Sequence, residues 1–163
     1  MSDPQTAATH AEPAPPAHAA RQAWLGLLAR APAARLRALC DAALPERPAF
    51  SWLRAPEIGT VMVRGRAGGT GAAFNLGEIT VTRAALTLAD GAVGHGYLQG
   101  RDKSAAEAVA LIDALMQTEA APRLQSAILD VLAAEEADRR QTRAEKAAAT
   151  EVEFFTMTRG DDQ

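Results

Sequence analysis

One cysteine, three histidines and 4% aromatic residues are what this chain of 163 residues has little of. A single thiol, Cys40, excludes an internal disulfide and a metal cluster held by cysteines. It sits in a helical pattern, LRALCDAAL, as a small hydrophobe. His10 and His18 fall in an Ala/Pro-rich start, which leaves His95 as the one histidine of the folded part. It stands alone between two glycines, so it reads as a surface or interface residue and not as a metal ligand. Ser51, Ser104 and Ser126 lack the surroundings of a nucleophile. No apolar run reaches the ~20 residues that cross a bilayer. No basic segment leads into an apolar one at the start, so no secretory signal is read and a soluble, cytoplasmic protein is expected.

What is there is alanine, glycine and charge. Apolar residues make up 48% of the chain, and alanine supplies much of that, so the core should be modest. The net charge of −3 argues against general nucleic-acid binding. Residues 51–103 are mildly basic and residues 104–163 are acidic.

Residues 1–19 are rich in Ala and Pro without an apolar period and read as a disordered tail; 20–163 read as one α+β domain. Trp24, Leu25, Leu27 and Leu28 mark a short helix. Pro32 opens a second one with Leu36, Leu39 and Cys40 at helical spacing, and Pro45 and Pro48 end it. The hairpin offers only Arg35 and Arg37 as base readers, so no nucleic acid is expected. Strands follow. SWLRA is short and stops at Pro56, IGTVMVRGR alternates as a half-buried strand, and GEITVTRAALTLAD turns at Asp90-Gly91 into VGHGYLQG. The prediction is a small antiparallel sheet of three to four strands. Ser104 with Glu107 reads as a capping box opening a helix with Val109, Ile112, Leu115 and Met116 on one face. Pro122 opens a last, long helix that carries Leu124, Ile128, Val131 and Leu132. Beyond Leu132 it loses its large apolar residues and should project from the core. An extended tail with Phe154 and Phe155 closes the chain; docking on a partner is favoured over packing inward.

The stretch GRAGGTGAAFNLGEITVTR holds the densest run of glycines. It reads either as a plain hairpin loop or as a loop that wraps an anion or a partner's backbone. Candidate ligand or interface residues are Arg64, Arg66, Gly68, Gly69, Gly71, Glu78 and Arg83. QGRDKS adds Arg101 and Lys103 at the start of a helix, whose dipole favours an anion. Arg101 can equally pair with Asp102 or Glu78. No P-loop or dinucleotide fingerprint is present. The catalytic set and the metal set of this chain are therefore both expected to be empty.

RAPEIG at 54–59, GRAGGTG at 65–71, TVTRAA at 80–85, GYLQGRDK at 96–103, AEAVALIDALMQ at 106–117 and FFTMTRGDD at 154–162 occur in this order. With these strings the chain, from about residue 21 onward, resembles the PhnG family, the G subunit of bacterial carbon–phosphorus lyase. Some relatives carry a histidine just after QGRDK where this chain has Ala105, so no histidine role carries over. The resemblance implies an accessory subunit of a cytoplasmic core complex with H, I and J subunits, the I subunit its most direct partner. It implies a role, with the H, I and L proteins, in moving ribose triphosphate from ATP to methylphosphonate with release of adenine. ATP and an iron–sulfur cluster would belong to the complex and not to this chain. The other reading from the residues is a free-standing anion or nucleotide binding module that uses Gly65–Gly71 and Arg101.

Overall fold

Three antiparallel strands and a set of helices make up residues 16–149, the residues that the computed structural model describes. The fold is α+β. Helix α1 (Pro16–Arg30) begins a few residues ahead of the expected start, with proline in its first turn, where a missing N–H costs nothing. Helix α2 (Ala33–Ala43) follows Pro32 directly. Then come β1 (Phe50–Arg66), β2 (Ala73–Leu88) and β3 (Val93–Gln99), ordered β1-β2-β3 in one sheet. Helix α3 (Lys103–Leu115) returns across the sheet. Helix α4 (Ala121–Leu124), a π turn (Gln125–Leu129) and α5 (Asp130–Ala148) form one continuous helical run. The Ala/Pro start up to residue 15, and Phe154 and Phe155, lie outside the described residues.

Helix α3 is the centre of the domain. It packs on β2 and β3 on one side and on α1 and α2 on the other. Residues all around it are buried, Ala105 through Leu115 with the single exception of Glu107. The expected single apolar face is therefore a fully buried helix, the state of one that is apolar all round. Its contact with β3 is unusually close. Gly94 and Gly96 face a stripe of Ala106, Ala110 and Ala114, four residues apart on α3. A Cβ on Gly94 would lie 1.9 Å from the Ala110 carbonyl oxygen, and one on Gly96 would lie 2.0 Å from that of Ala106. Backbone thus meets backbone, and only glycine on the strand and small residues on the helix permit it.

Asp113 ties the layers together. Its carboxylate is fully buried among the apolar residues of α3. Arg21 of α1 donates Nε to Oδ1 at 3.1 Å and Nη2 to Oδ2 at 2.6 Å. Trp24 Nε1 donates to Oδ1 at 2.9 Å, and the His95 backbone N–H of β3 donates to Oδ2 at 2.8 Å. A buried carboxylate is tolerated only when paired and hydrogen-bonded in this way.

Several local expectations are corrected. Pro56 does not end a strand: β1 runs through it. Register shifts between Trp52 and Arg54 and between Arg54 and Glu57 mark bulges there, and β1 is an edge strand, so the missing N–H breaks no central ladder. Ser104 is not the cap of α3. Asp102 is, in extended conformation, accepting from the Ala105 N–H at 2.8 Å. Glu107 instead accepts from Arg47 Nη1 at 2.8 Å. In the last helical run the π turn adds a residue to the repeat. The buried stripe becomes Leu124, Ile128, Leu129 and Leu132, with Val131 only half-buried. The arginines of the helical hairpin are engaged internally, Arg35 with Glu135 at 2.8 Å and Arg37 with Asp102 at 3.8 Å.

Candidate functional site

The β1–β2 hairpin is much longer than the sheet it belongs to. β3 pairs with β2 from Thr87–Val93 to Val81–Gln99, and a last bond runs from the Gly100 N–H to the Thr80 carbonyl at 2.9 Å. Beyond that point β1 and β2 continue alone as a two-stranded ribbon, from Gly59 opposite Val81 to Arg66 opposite Ala73. A period-2 strand places alternate residues on opposite faces. Here no layer covers either face among the described residues, so the half-buried strand expected at IGTVMVRGR is mostly an exposed one. Val61, Met62, Phe74 and Leu76 are all exposed, Leu76 at 67%.

The glycine loop closes this ribbon at its far end. Gly68 and Gly69 have φ of 59° and 79°, which suits them to the tight turn Ala67–Gly69. The loop is bonded to itself: Gly71 N–H donates to the Ala67 carbonyl at 2.8 Å, and Arg66 Nη1 donates to the Gly71 carbonyl at 3.1 Å. Arg64 stands opposite Asn75, and Glu78 opposite Met62, along the same ribbon. Arg83 is at its base.

Arg101 and Lys103 are not near that loop. They follow β3, whose end is level with Gly59 on β1. Gly59 and Arg66 are seven positions apart, on the order of 20 Å of strand. The two halves of the sequence-predicted anion site are therefore apart. Asp102, between Arg101 and Lys103, places its own carboxylate at the helix N-terminus. Its ion-pair partner is Arg37.

The open face of the sheet, opposite α3, gathers a different group. Arg54 and Arg83 both donate to Glu57 Oε1, Arg83 through Nε at 2.6 Å. The hydrogen bonds from Arg54 and then Arg83 hold the Glu57 carboxyl below the ordinary carboxylate value. His95 and Tyr97 stand beside them, and with Leu53 they line a shallow cleft of about 480 Å³. Tyr97 is 51% exposed and Leu53 60%. His95 is an exposed residue of this face, as expected. Its side chain has neither a carboxylate orienting it nor a nucleophile beside it among the described residues. No group of three or more His, Cys, Asp and Glu residues there can hold a metal ion. The arrangement presents apolar surface, unpaired strand edge and a net positive charge. These are means of binding a partner.

The features that sequence reading missed are Asp113 and the overhang of the ribbon. A lone aspartate inside AEAVALIDALMQ was a visible signal of the first. The second depends on where β3 stops, which no local pattern states.

A model of the family described as phosphonate metabolism protein PhnG matches residues 19–160. The chain belongs to the PhnG family. It is also 45% identical over 144 residues to a protein of Rhizobium meliloti (strain 1021) named alpha-D-ribose 1-methylphosphonate 5-triphosphate synthase subunit PhnG. That match covers 88% of this chain and 92% of the relative. PhnG membership takes in the ribbon, the open face and every strand, since all lie within the matched span. No helix among the described residues is long and apolar enough to cross a membrane.

Proposed function

We propose that this chain is a non-catalytic subunit of an alpha-D-ribose 1-methylphosphonate 5-triphosphate synthase, built to assemble with the subunits that carry the chemistry. One observation carries the reading: a two-stranded ribbon with exposed Val61, Met62, Phe74 and Leu76 projects beyond the part of the sheet that β3 extends. An isolated hairpin is only marginally stable in water, and an apolar one invites pairing. Family membership supplies the context for a partner.

The finer reading follows the family resemblance. The direct partner is an I-type subunit, within a cytoplasmic complex that also holds H and J subunits. The reaction, with the H, I and L proteins, breaks the bond between ribose C1′ and adenine in ATP and joins C1′ to an oxygen of methylphosphonate. ATP is a substrate of the complex. The iron–sulfur cluster of the later cleavage takes its ligands from another chain. Such clusters are held by several cysteine thiolates. Here the one cysteine, Cys40, is buried in α2, and burial pushes its thiol up, away from the thiolate a cluster needs. Phe154 and Phe155 are assigned to the same docking role.

Co-expression tests this. Made together with the I-type subunit, the chain is expected to co-purify in a defined complex. Purified alone, it should give no release of adenine from ATP and methylphosphonate. A stable isolated chain that ignores that subunit, or that turns over ATP by itself, contradicts the reading.

A further inference from the structure

The ribbon has one edge built to accept a strand. β2 is paired on both sides from Val81 to Thr87 and on one side only from Ala73 to Ile79. β3 ends at Gln99, and the chain leaves with the Gly100 N–H bonded to Thr80. The carbonyl of Thr80 therefore points away from β1. By the two-residue repeat of a strand, the backbone N–H and C=O of Glu78 point the same way, into the space where β3 would continue. The β2 edge carries a single register shift, at Leu76, whereas the other long edge, along β1, is interrupted at its base by Pro56 and two such shifts. Proteins protect an edge in just this way. The β2 edge at 73–79 has no proline, and flanking it on both faces are Val61, Met62, Phe74 and Leu76.

We propose that an extended segment of another subunit adds to the β2 edge at residues 73–80, continuing the line of β3 as a further strand. The inference rests on the subunit reading above. Main-chain bonds to Glu78 and its neighbours would hold the segment, and alternate apolar side chains would cover both faces of the ribbon. Charge selects its composition. Arg64 and Arg66 stand across from Asn75 and Ala73 near the tip, and neither arginine has a carboxylate partner among the described residues. The incoming segment is therefore acidic where it passes Ala73–Asn75, and uncharged or basic where it passes Glu78.

Two measurements on the full chain decide it. The first compares amide hydrogen exchange of residues 73–80 in the isolated chain and in the co-expressed complex. Exchange should slow at least tenfold on assembly. The second uses Glu78→Pro, which removes the N–H on the open edge and spares the pairing with β1. This variant should keep the thermal transition of the isolated chain and lose at least tenfold in affinity for its partner. If the complex forms while these amides exchange as fast as in the free chain, the inference is wrong and the subunit reading stands. The same holds if Glu78→Pro assembles like the wild type. Protection already present in a self-associated isolated chain would assign the edge to a second copy and overturn the proposal. If the wild-type chain forms no complex at all, the subunit reading fails and this inference with it.

Discussion

Replacing Gly96 by alanine should lower the stability of the domain by about 3 kcal/mol, at the upper end of what overpacking a core costs. The added Cβ would sit 2.0 Å from the Ala106 carbonyl oxygen and 3.2 Å from the Ala110 nitrogen. Neither contact is with a flexible side chain. Helix α3 would have to lift from β3, and α3 is the element on which the sheet and the N-terminal helices both pack. Gly94→Ala should behave in the same way, because its Cβ would meet Ala110 and Ala114 backbone at 1.9 and 2.6 Å. Gly59→Ala is the control: nothing lies within 4 Å of its Cβ. Urea unfolding of the three variants is the measurement. The two β3 variants should lose about 1–2 M in midpoint at ordinary denaturant sensitivity, and Gly59→Ala should stay near the wild type. Equal behaviour of all three would mean that the close approach of helix and strand is not a source of stability.

Asp113→Ala should be at least as damaging, about 3–5 kcal/mol, because it strands charge and donors in the interior. Arg21 would lose its paired carboxylate, and Trp24 Nε1 and the His95 N–H would lose their acceptor. The loss should be partly relieved in the double variant Arg21→Met, Asp113→Ala, where no unpaired guanidinium remains. That comparison separates a pairing effect from a simple packing effect, since a packing effect would add in the double variant. Amide exchange at His95 offers a local reading of the same network and should accelerate in Asp113→Ala.

The sequence made the order of elements legible because its periods are clean. The Leu28, Leu36 and Cys40 spacing marks the helical hairpin, and Asp90-Gly91 marks the turn from β2 to β3. Where the reading slipped, a tertiary circumstance outweighed a local rule. Pro56 is a strand breaker in general, yet it is harmless on the bulged edge strand β1. Ser104 and Glu107 have the spacing of a capping box, but Asp102 reaches the helix first, and Arg47 draws Glu107 away. The π turn moved Leu129 into the core in place of Val131. Gly94 and Gly96 of β3 gave no local sign of their role, which is to let α3 approach. The candidate site suffered most. Its residues lie at known positions along the strands, but whether an alternating strand buries its apolar residues depends on a covering layer. Over residues 59–80 the sequence pattern of a covered strand is present and the cover is not part of the described chain.

On the reading proposed above, this uncovered ribbon serves assembly and not the stability of its own domain. Thr60 and Thr80 are cross-strand partners, so residues 61–79 can be replaced by a short Asn-Gly turn that keeps the pairing of β2 with β3 and the Gly100–Thr80 bond. Co-expression of this shortened chain with the I-type subunit, followed by native mass measurement and a thermal melt of the isolated chain, puts the claim to its most direct test. An unchanged melt and no complex are expected. A shortened chain that still assembles like the wild type, or one that no longer folds, would contradict it.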